Sequence, residues 1–143
     1  MDVPLLVLLL VTTLPSVANA ICDVNVASTG IDDNNCGVGS RPCKTLQFAI
    51  NKANSGQRLC LSGSFECGGR VNKSLVIDSP NRDAVMDCGG HGTGLVVTNS
   101  SRDVNISGIA FYHASEGGIW GHFTSYVDDF RISIQHIICV NPG

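Results

Sequence analysis

The residues between Arg58 and Tyr112 form short runs of strand-like character that are separated by turn residues. Strand-like runs occur at RLCLSG, SLVID, AVMDC, GLVVT and VNISGIAFY, and CDVNVAS precedes them. The intervening segments GGR, SPNRD, GGHGTG and NSSRD contain the glycine, proline, asparagine, aspartate and serine that are typical of tight turns. Short strands at intervals of about ten residues predict an all-β fold.

One segment, KTLQFAINKANSG, follows a helical period instead. Its apolar residues recur at spacings of three and four and define one helical face: Leu46, Ala49, Ile50 and Ala53. Thr45 is the expected N-cap and Gly56 the expected C′ glycine, which predicts a helix over about residues 45–55. Because so short a helix is not stable alone, we expect its apolar face to cover a hydrophobic core.

Three all-β architectures fit the strand pattern: a sandwich, a barrel and a parallel β-helix. Sandwich strands are usually longer and are joined by Asn-Gly or Asp-Gly turns, and neither dipeptide occurs in this chain. A β-helix instead stacks short strands around an apolar interior. VNISGIAFY fits that geometry if Gly108 lies at the bend and four side chains point inward: Val104, Ile106, Ile109 and Phe111. The predicted helix would then be a lid on the first coil.

The N-terminus has the layout of a secretory signal peptide. The run from Leu5 to Leu14 is almost wholly apolar and is followed by PSVANA, a small-residue cleavage pattern that ends at Ala20. The apolar run is about half the ~20 residues that a membrane-spanning helix needs. We therefore predict that residues 1–20 are a signal peptide, and that the protein is secreted without an integral membrane span.

Composition and motifs agree with an extracellular protein. The net charge is −3 without any basic run, which argues against nucleic acid as a partner. Seven cysteines in a secreted chain indicate a disulfide framework with one cysteine left over, and their spacing differs from that of zinc sites. Three sequons predict N-glycosylation, at Asn72, Asn99 and Asn105.

Two segments resemble a known family. Pro42-Cys43-Lys44-Thr45 and Gly63-Ser64-Phe65 are similar to the N-terminal cap of right-handed parallel β-helix proteins with the pectin-lyase-like fold. VNISGIAFYHA resembles a coil of that group, and the cysteine-rich character is similar to extracellular proteins with polymorphic-outer-membrane-protein-like repeats. The resemblance covers about Val24 to Gly118, and it implies a β-helix cap and first coils over residues 21–118. It implies no activity, because this fold hosts lyases, hydrolases, adhesins and scaffolds.

The resemblance to a cap also suggests how the cysteines pair. A Cys36–Cys43 disulfide would hold the loop that leads into the helix, and by chain entropy it would contribute roughly 2.5 kcal/mol. Cys60 has two candidate partners, Cys67 in the next turn and Cys22 ahead of the first strand. The sequence does not choose between these pairings. Cys88 is the remaining disulfide candidate.

Three motifs look like those of polygalacturonases: Gly90-His91-Gly92, Asp128-Asp129 and Arg131-Ile132-Ser133. In that family, however, the aspartate pair precedes the histidine motif, whereas here it follows. Adjacent aspartates on one strand also point to opposite faces, so they cannot face each other across a sugar. We therefore assign no catalytic residue, no cofactor and no metal ligand, and we interpret His91 as a turn residue.

Residues 119–143 form an atypical tail that holds four of the eight aromatic residues. FRISIQ alternates well enough for one strand, so an authentic last strand is one interpretation. The other interpretation, which we prefer, is a truncated or splice-derived end that departs after about Gly118, because no C-terminal cap is recognisable.

Together these patterns favour a secreted, non-catalytic β-helix scaffold with a surface, adhesion or carbohydrate-contacting role. Its partners would be extracellular glycans or cell-surface proteins. An outer face of serine, threonine and asparagine, as in TNSSRDVNIS, supports this interpretation. The alternative is the N-terminal fragment of a polysaccharide lyase or glycoside hydrolase of the pectin-lyase-like fold. A third hypothesis is a non-functional fragment that fails secretory quality control.

Overall fold

The computed structural model describes residues 21–98, 103–122 and 131–140; the predicted signal peptide, Asn99 and the Asp128-Asp129 pair lie outside these residues. The described residues form one helix, α1 (Leu46–Lys52). They also form twelve strands: β1 (Val24–Ala27), β2 (Arg58–Ser62), β3 (Ser64–Glu66), β4 (Gly69–Val71), β5 (Leu75–Asp78), β6 (Ala84–Asp87), β7 (Leu95–Thr98), β8 (Asp103–Ser107), β9 (Ile109–Tyr112), β10 (Ile119–His122), β11 (Arg131–Gln135) and β12 (Ile138–Val140).

The strands form three sheets, and every strand pair is parallel. The first sheet has the order β1-β2-β5-β8-β11, the second β3-β6-β9-β12 and the third β4-β7-β10. From β2 onward, successive strands belong to the first, second and third sheet in turn, so every third strand returns to the same sheet. We call three such consecutive strands a rung. The prediction of a mostly-β chain with one helix is confirmed.

The three sheets share one hydrophobic core. Alternate residues of β1 to β9 point into it, as in the row Phe65, Met86 and Phe111 of the second sheet. The four side chains that we predicted to point inward from β8 and β9 are all buried. Gly108 lies between these strands at φ +73°, and a Cβ there would lie 2.5 Å from the carbonyl oxygen of Ser79. The bend therefore requires glycine.

Helix α1 begins as predicted and ends earlier than predicted. The hydroxyl of Thr45 accepts a hydrogen bond from the N–H of Phe48 (3.3 Å), so Thr45 is the N-cap. The helix ends at Lys52 with Ala53 as C-cap, so Gly56 is not the C′ residue and the predicted end at about residue 55 was wrong. The ammonium group of Lys73 donates to the carbonyl oxygen of Ala53 (2.8 Å). A distant lysine thus satisfies a backbone group at this end of the helix, where a C′ glycine was expected.

The apolar face of α1 covers strands at one end of the sheets. Leu46, Ala49 and Ile50 are buried, and the helix contacts β1, β2 and β4. A Cβ added to Gly69 of β4 would lie 3.4 Å from Leu46 Cδ2 and 3.7 Å from Ile50 Cδ1. Because β1 and β4 are edge strands of their sheets, α1 occupies the position expected of a lid.

Three disulfides connect the described cysteines: Cys36–Cys43, Cys22–Cys60 and Cys67–Cys88. The candidate pairing of Cys60 with Cys67 was therefore wrong. Cys60 points outward from the first sheet beside Asn25 of β1, within reach of Cys22, whereas Cys67 follows β3 in the second sheet. Cys67 pairs with Cys88, which follows the neighbouring strand β6. These three disulfides suggest that the protein matures in an oxidising, extracellular environment.

The described parts of the tail continue the pattern of the preceding strands. Strands β10, β11 and β12 pair in parallel with β7, β8 and β9, respectively. The predicted strand in FRISIQ is confirmed as β11, in which Ile134 is the register partner of Ile106. Strands β3 and β4 were not predicted, because each has only three residues and GGR had been interpreted as a break. Strands β10 and β12 were not predicted either, because FRISIQ was the one strand expected in the tail.

Candidate functional site

An open cleft of about 550 Å³ lies where β3 and β6 of the second sheet end in turns. Its walls are formed by residues 66–68, 87–89 and 91–93. The Cys67–Cys88 disulfide joins the first two of these segments across neighbouring strands. The polar side chains that line the cleft are those of Glu66, Asp87, His91 and Thr93.

The register of the second sheet aligns an outward row of functional side chains. Glu66 is the register partner of Asp87, and Asp87 is the partner of Tyr112. Their neighbours Phe65, Met86 and Phe111 are buried, so the pleat directs Glu66, Asp87 and Tyr112 away from the core. We call these three residues the outward row. They lie on adjacent strands, which are separated by about 4.8 Å in a sheet.

Asp87 is held by two hydrogen bonds. Its Oδ1 accepts from the N–H of Gly89 (3.0 Å) and lies 2.8 Å from Nδ1 of His113. The hydrogen bond from Gly89, followed by that from His113, lowers the pKa of Asp87 below its usual value. Asp87 is therefore ionised at neutral pH and is preorganised as a hydrogen-bond acceptor.

The turn that follows β9 lies against the cleft. The N–H of Gly90 donates to the carbonyl oxygen of His113 (2.8 Å), and the N–H of Glu116 donates to the carbonyl oxygen of Gly92 (3.1 Å). The hydroxyl of Thr93 donates to a carboxylate oxygen of Glu116 (3.3 Å). These contacts bring a third carboxylate and a histidine from the next rung to the cleft.

The cleft can accept hydrogen bonds from a neutral ligand. Neither lysine nor arginine occurs among its lining residues, whereas the carboxylates of Glu66 and Asp87 are both acceptors. Tyr112, which is half-buried next to Asp87, adds an aromatic ring to the same face. Within residues 21–98, 103–122 and 131–140, no group of three or more His, Cys, Asp or Glu side chains is arranged to hold a metal ion.

The residues singled out from the sequence occupy different places. His91 lies in the turn after β6, as expected, and it also lines the cleft. Arg131 lies on β11 in the first sheet, and its motif partners Asp128 and Asp129 are outside the described residues. Asn72 is exposed between β4 and β5, whereas Asn105 is half-buried in the middle of β8.

Sequence reasoning missed the outward row. Neither Glu66 nor Asp87 was considered as a site residue, and the bond from Gly89 to Asp87 shows that Asp87 also holds the turn after β6. Tyr112 was assigned to a strand without any function. A usable signal exists, because each of these residues directly follows an inward-pointing apolar or aromatic residue at the end of a short strand.

Comparisons with protein-family models, curated proteins and solved structures find no match to this chain. In the described part of the chain, no helix has both the length and the apolar character that are needed to cross a membrane.

Proposed function

We propose that this chain is a secreted, non-catalytic scaffold of the right-handed parallel β-helix type that contacts extracellular carbohydrate. Three features support closure of the sheets into such a helix: all strand pairs are parallel, successive strands visit the three sheets in a fixed order, and the sheets share one core. Right-handed connections are the general rule for parallel strands. The disulfides and the predicted signal peptide support secretion.

The observation that carries carbohydrate contact is the outward row at the cleft. Sugar hydroxyls donate hydrogen bonds to carboxylates, and the apolar face of a sugar ring packs against an aromatic ring. Glu66 and Asp87 supply the acceptors and Tyr112 supplies the ring, on three adjacent strands of one sheet. A rigid parallel sheet fixes their spacing, which reduces the entropy lost on binding.

The electrostatics of Asp87 argue against a role as the general acid of a glycosidase. A glycosidase needs one carboxyl group with a raised pKa as general acid, next to a second that is ionised. The pKa of Asp87 is lowered, and its Oδ1 is already engaged by Gly89 and His113. Asp87 is therefore unsuited to be the proton donor, and its ionised carboxylate can accept hydrogen bonds from a bound ligand.

A binding assay tests the proposal. The secreted chain would be applied to an array of neutral, cationic and acidic glycans, and positive ligands would be titrated by calorimetry. We expect binding to a neutral or cationic glycan, and we expect Glu66→Gln with Asp87→Asn to weaken it about tenfold or more, which is about 1.4 kcal/mol. Release of reducing ends from the same glycans would be measured in parallel.

Asp103→Asn is the matched control, since it removes an exposed carboxylate from the first sheet, away from the cleft. Unchanged affinity in the Glu66 and Asp87 variant, with folding verified by circular dichroism, would refute the assignment to this cleft. Hydrolysis of a bound glycan would refute the non-catalytic role and support the enzyme alternative.

A further inference from the structure

The turn between β4 and β5 consists of Asn72, Lys73 and Ser74, which together form a sequon. Lys73 and Ser74 are engaged on opposite sides of the turn. The Lys73 ammonium donates to the carbonyl oxygen of Ala53 at the end of α1 (2.8 Å), and the Ser74 hydroxyl accepts from the N–H of Asp103 in the next rung (3.1 Å). These bonds fix the turn against the helix and against β8.

The side chain of Asn72, in contrast to those of Lys73 and Ser74, is not engaged by the described part of the fold. It is exposed, and within the described residues its carboxamide takes part in no hydrogen bond. A group attached to its Nδ2 would therefore displace no contact of the fold. The fixed turn would hold that group out into solvent.

We propose that Asn72 is N-glycosylated during secretion, an inference that relies on the secretory route in the proposed function. In the transfer, Nδ2 of Asn72 attacks C1 of an oligosaccharide carried on a polyprenyl diphosphate. The C1–N bond forms as the C1–O bond to the diphosphate breaks, and one amide proton is released. The proposal concerns a modification site, and it is independent of the ligand that the cleft binds.

The other described sequon has a different environment. Asn105 lies in the middle of β8, between Val76 of β5 and Ser133 of β11, and its side chain is half-buried. The hydroxyl of its sequon, on Ser107, donates to Asp78 (2.8 Å), which is itself paired with Arg58. A glycan on Asn105 would lie against this polar network, so the structure favours Asn72 over Asn105.

The position of Asn72 also predicts what its glycan would cover. Strand β4 separates Asn72 from Gly68 at the edge of the cleft, a span of about 13 Å in extended backbone. Lys73 connects the same turn to the C-terminal end of α1. The glycan would therefore shield the end of the helix, and it would leave the cleft open.

Site-resolved mass spectrometry tests the proposal. The full chain, with its own N-terminal segment, would be expressed in eukaryotic cells, and medium and lysate would both be collected. Peptide N-glycosidase in heavy-oxygen water marks each occupied asparagine as labelled aspartate. We expect the Asn72 peptide to be labelled in most molecules, and Asn72→Gln to lose the mass of one glycan.

Ser74→Thr is the conservative control, since it keeps both the sequon and the hydroxyl, and it should retain full occupancy. Asn105→Gln should leave the mobility of the protein unchanged. An unlabelled Asn72 peptide in medium and lysate would overturn the proposal, whatever the cleft binds. Occupied Asn72 together with absent glycan binding at the cleft would refute the proposed function and leave this inference standing.

Discussion

The carboxylate of Asp32 accepts hydrogen bonds from both the backbone N–H and the hydroxyl of Thr45, at 2.9 and 2.7 Å. The same carboxylate accepts from the N–H of Lys44 at 2.8 Å. Thr45 in turn caps α1, so Asp32 links the loop before the helix to the first turn of the helix. The Cys36–Cys43 disulfide holds that loop covalently, and Asp32 orients its end.

Asp32→Ala should therefore destabilise the protein although the position is at the surface. The substitution removes three hydrogen bonds. The backbone N–H groups of Lys44 and Thr45 then have only water as a hydrogen-bond acceptor. We expect a loss of about 1–2 kcal/mol in the free energy of unfolding. Urea unfolding of both proteins measures it. Asp103→Ala, which removes an exposed carboxylate, should stay within about 0.5 kcal/mol of the original protein. Equal stability of the two variants would contradict the role of Asp32.

The contribution of Asp32 should also depend on pH. Burial, the largest single influence, raises the pKa of Asp32, but the hydrogen bonds from Thr45 and Lys44 together outweigh it and lower the pKa. A lowered folded-state pKa stabilises the protein above the unfolded value of about 3.9, and this stabilisation is lost as the pH falls through the folded value. The stability difference between the original protein and Asp32→Ala should thus shrink below about pH 4. A difference that is constant from neutral to acidic pH would refute this explanation.

Gly94 should tolerate no side chain. A Cβ at this position would lie 2.3 Å from Cδ1 of Phe111 and 2.4 Å from the carbonyl oxygen of Gly118, both closer than atoms in a folded protein approach. Gly94→Ala should cost about 1–3 kcal/mol or more through overpacking. Gly89→Ala is the control, since its Cβ would meet nothing within 4 Å and only its φ of +57° is unfavourable. Thermal unfolding should therefore show a larger decrease in melting temperature for Gly94→Ala than for Gly89→Ala.

The lid role of α1 can be measured through Ile50. This side chain is fully buried and lies near Gly69 of the edge strand β4. Ile50→Ala should lower the free energy of unfolding by about 2–5 kcal/mol, because it leaves a cavity beneath the helix. Ile31→Ala is a matched control at a residue that is 67% exposed, and it should have little effect. Similar losses in the two variants would show that the helix does not close the core.

The sequence predicts those helices and strands that are long enough to show a periodic pattern of apolar residues. The face of α1, the strands β1, β2, β5 to β9 and β11, and the bend at Gly108 all follow from local spacing, and the structure has them. Strands β3, β4 and β12 were missed because three residues hold too little pattern, and β10 was missed because its segment was interpreted as part of an atypical tail. The predicted end of α1 was wrong because Lys73, from a distant turn, donates hydrogen bonds to the carbonyl oxygens at the end of the helix.

Features that depend on stacking register were beyond local reasoning. The partner of Cys60 follows from the pairing of β1 with β2, and that of Cys67 from the pairing of β3 with β6. The outward row has the same origin, since Glu66, Asp87 and Tyr112 are far apart in sequence and only the parallel register aligns them. A candidate site built from successive rungs has no signature within any single strand.

The disulfide framework predicts a thiol count. Cys139 is exposed and is not disulfide-bonded, and the other six cysteines form three disulfides. Under native conditions the protein should therefore react with one equivalent of a thiol reagent, and Cys139→Ser should react with none. After denaturation and reduction, the original protein should show all seven thiols and the variant six.

The register position of Cys139 makes this thiol count informative about the rung that contains β12. Cys139 is the register partner of Phe111, and its sulfur would lie 3.0 Å from a Cβ built on Gly118. Phe111 is 1% exposed one rung earlier, whereas Cys139 is exposed on β12, the outermost strand that the structure describes in this sheet. Rapid labelling of Cys139 in the folded protein would agree with its exposure on β12. A native thiol count of zero, with seven thiols recovered after reduction, would show that Cys139 is covered or oxidised, and it would contradict this prediction.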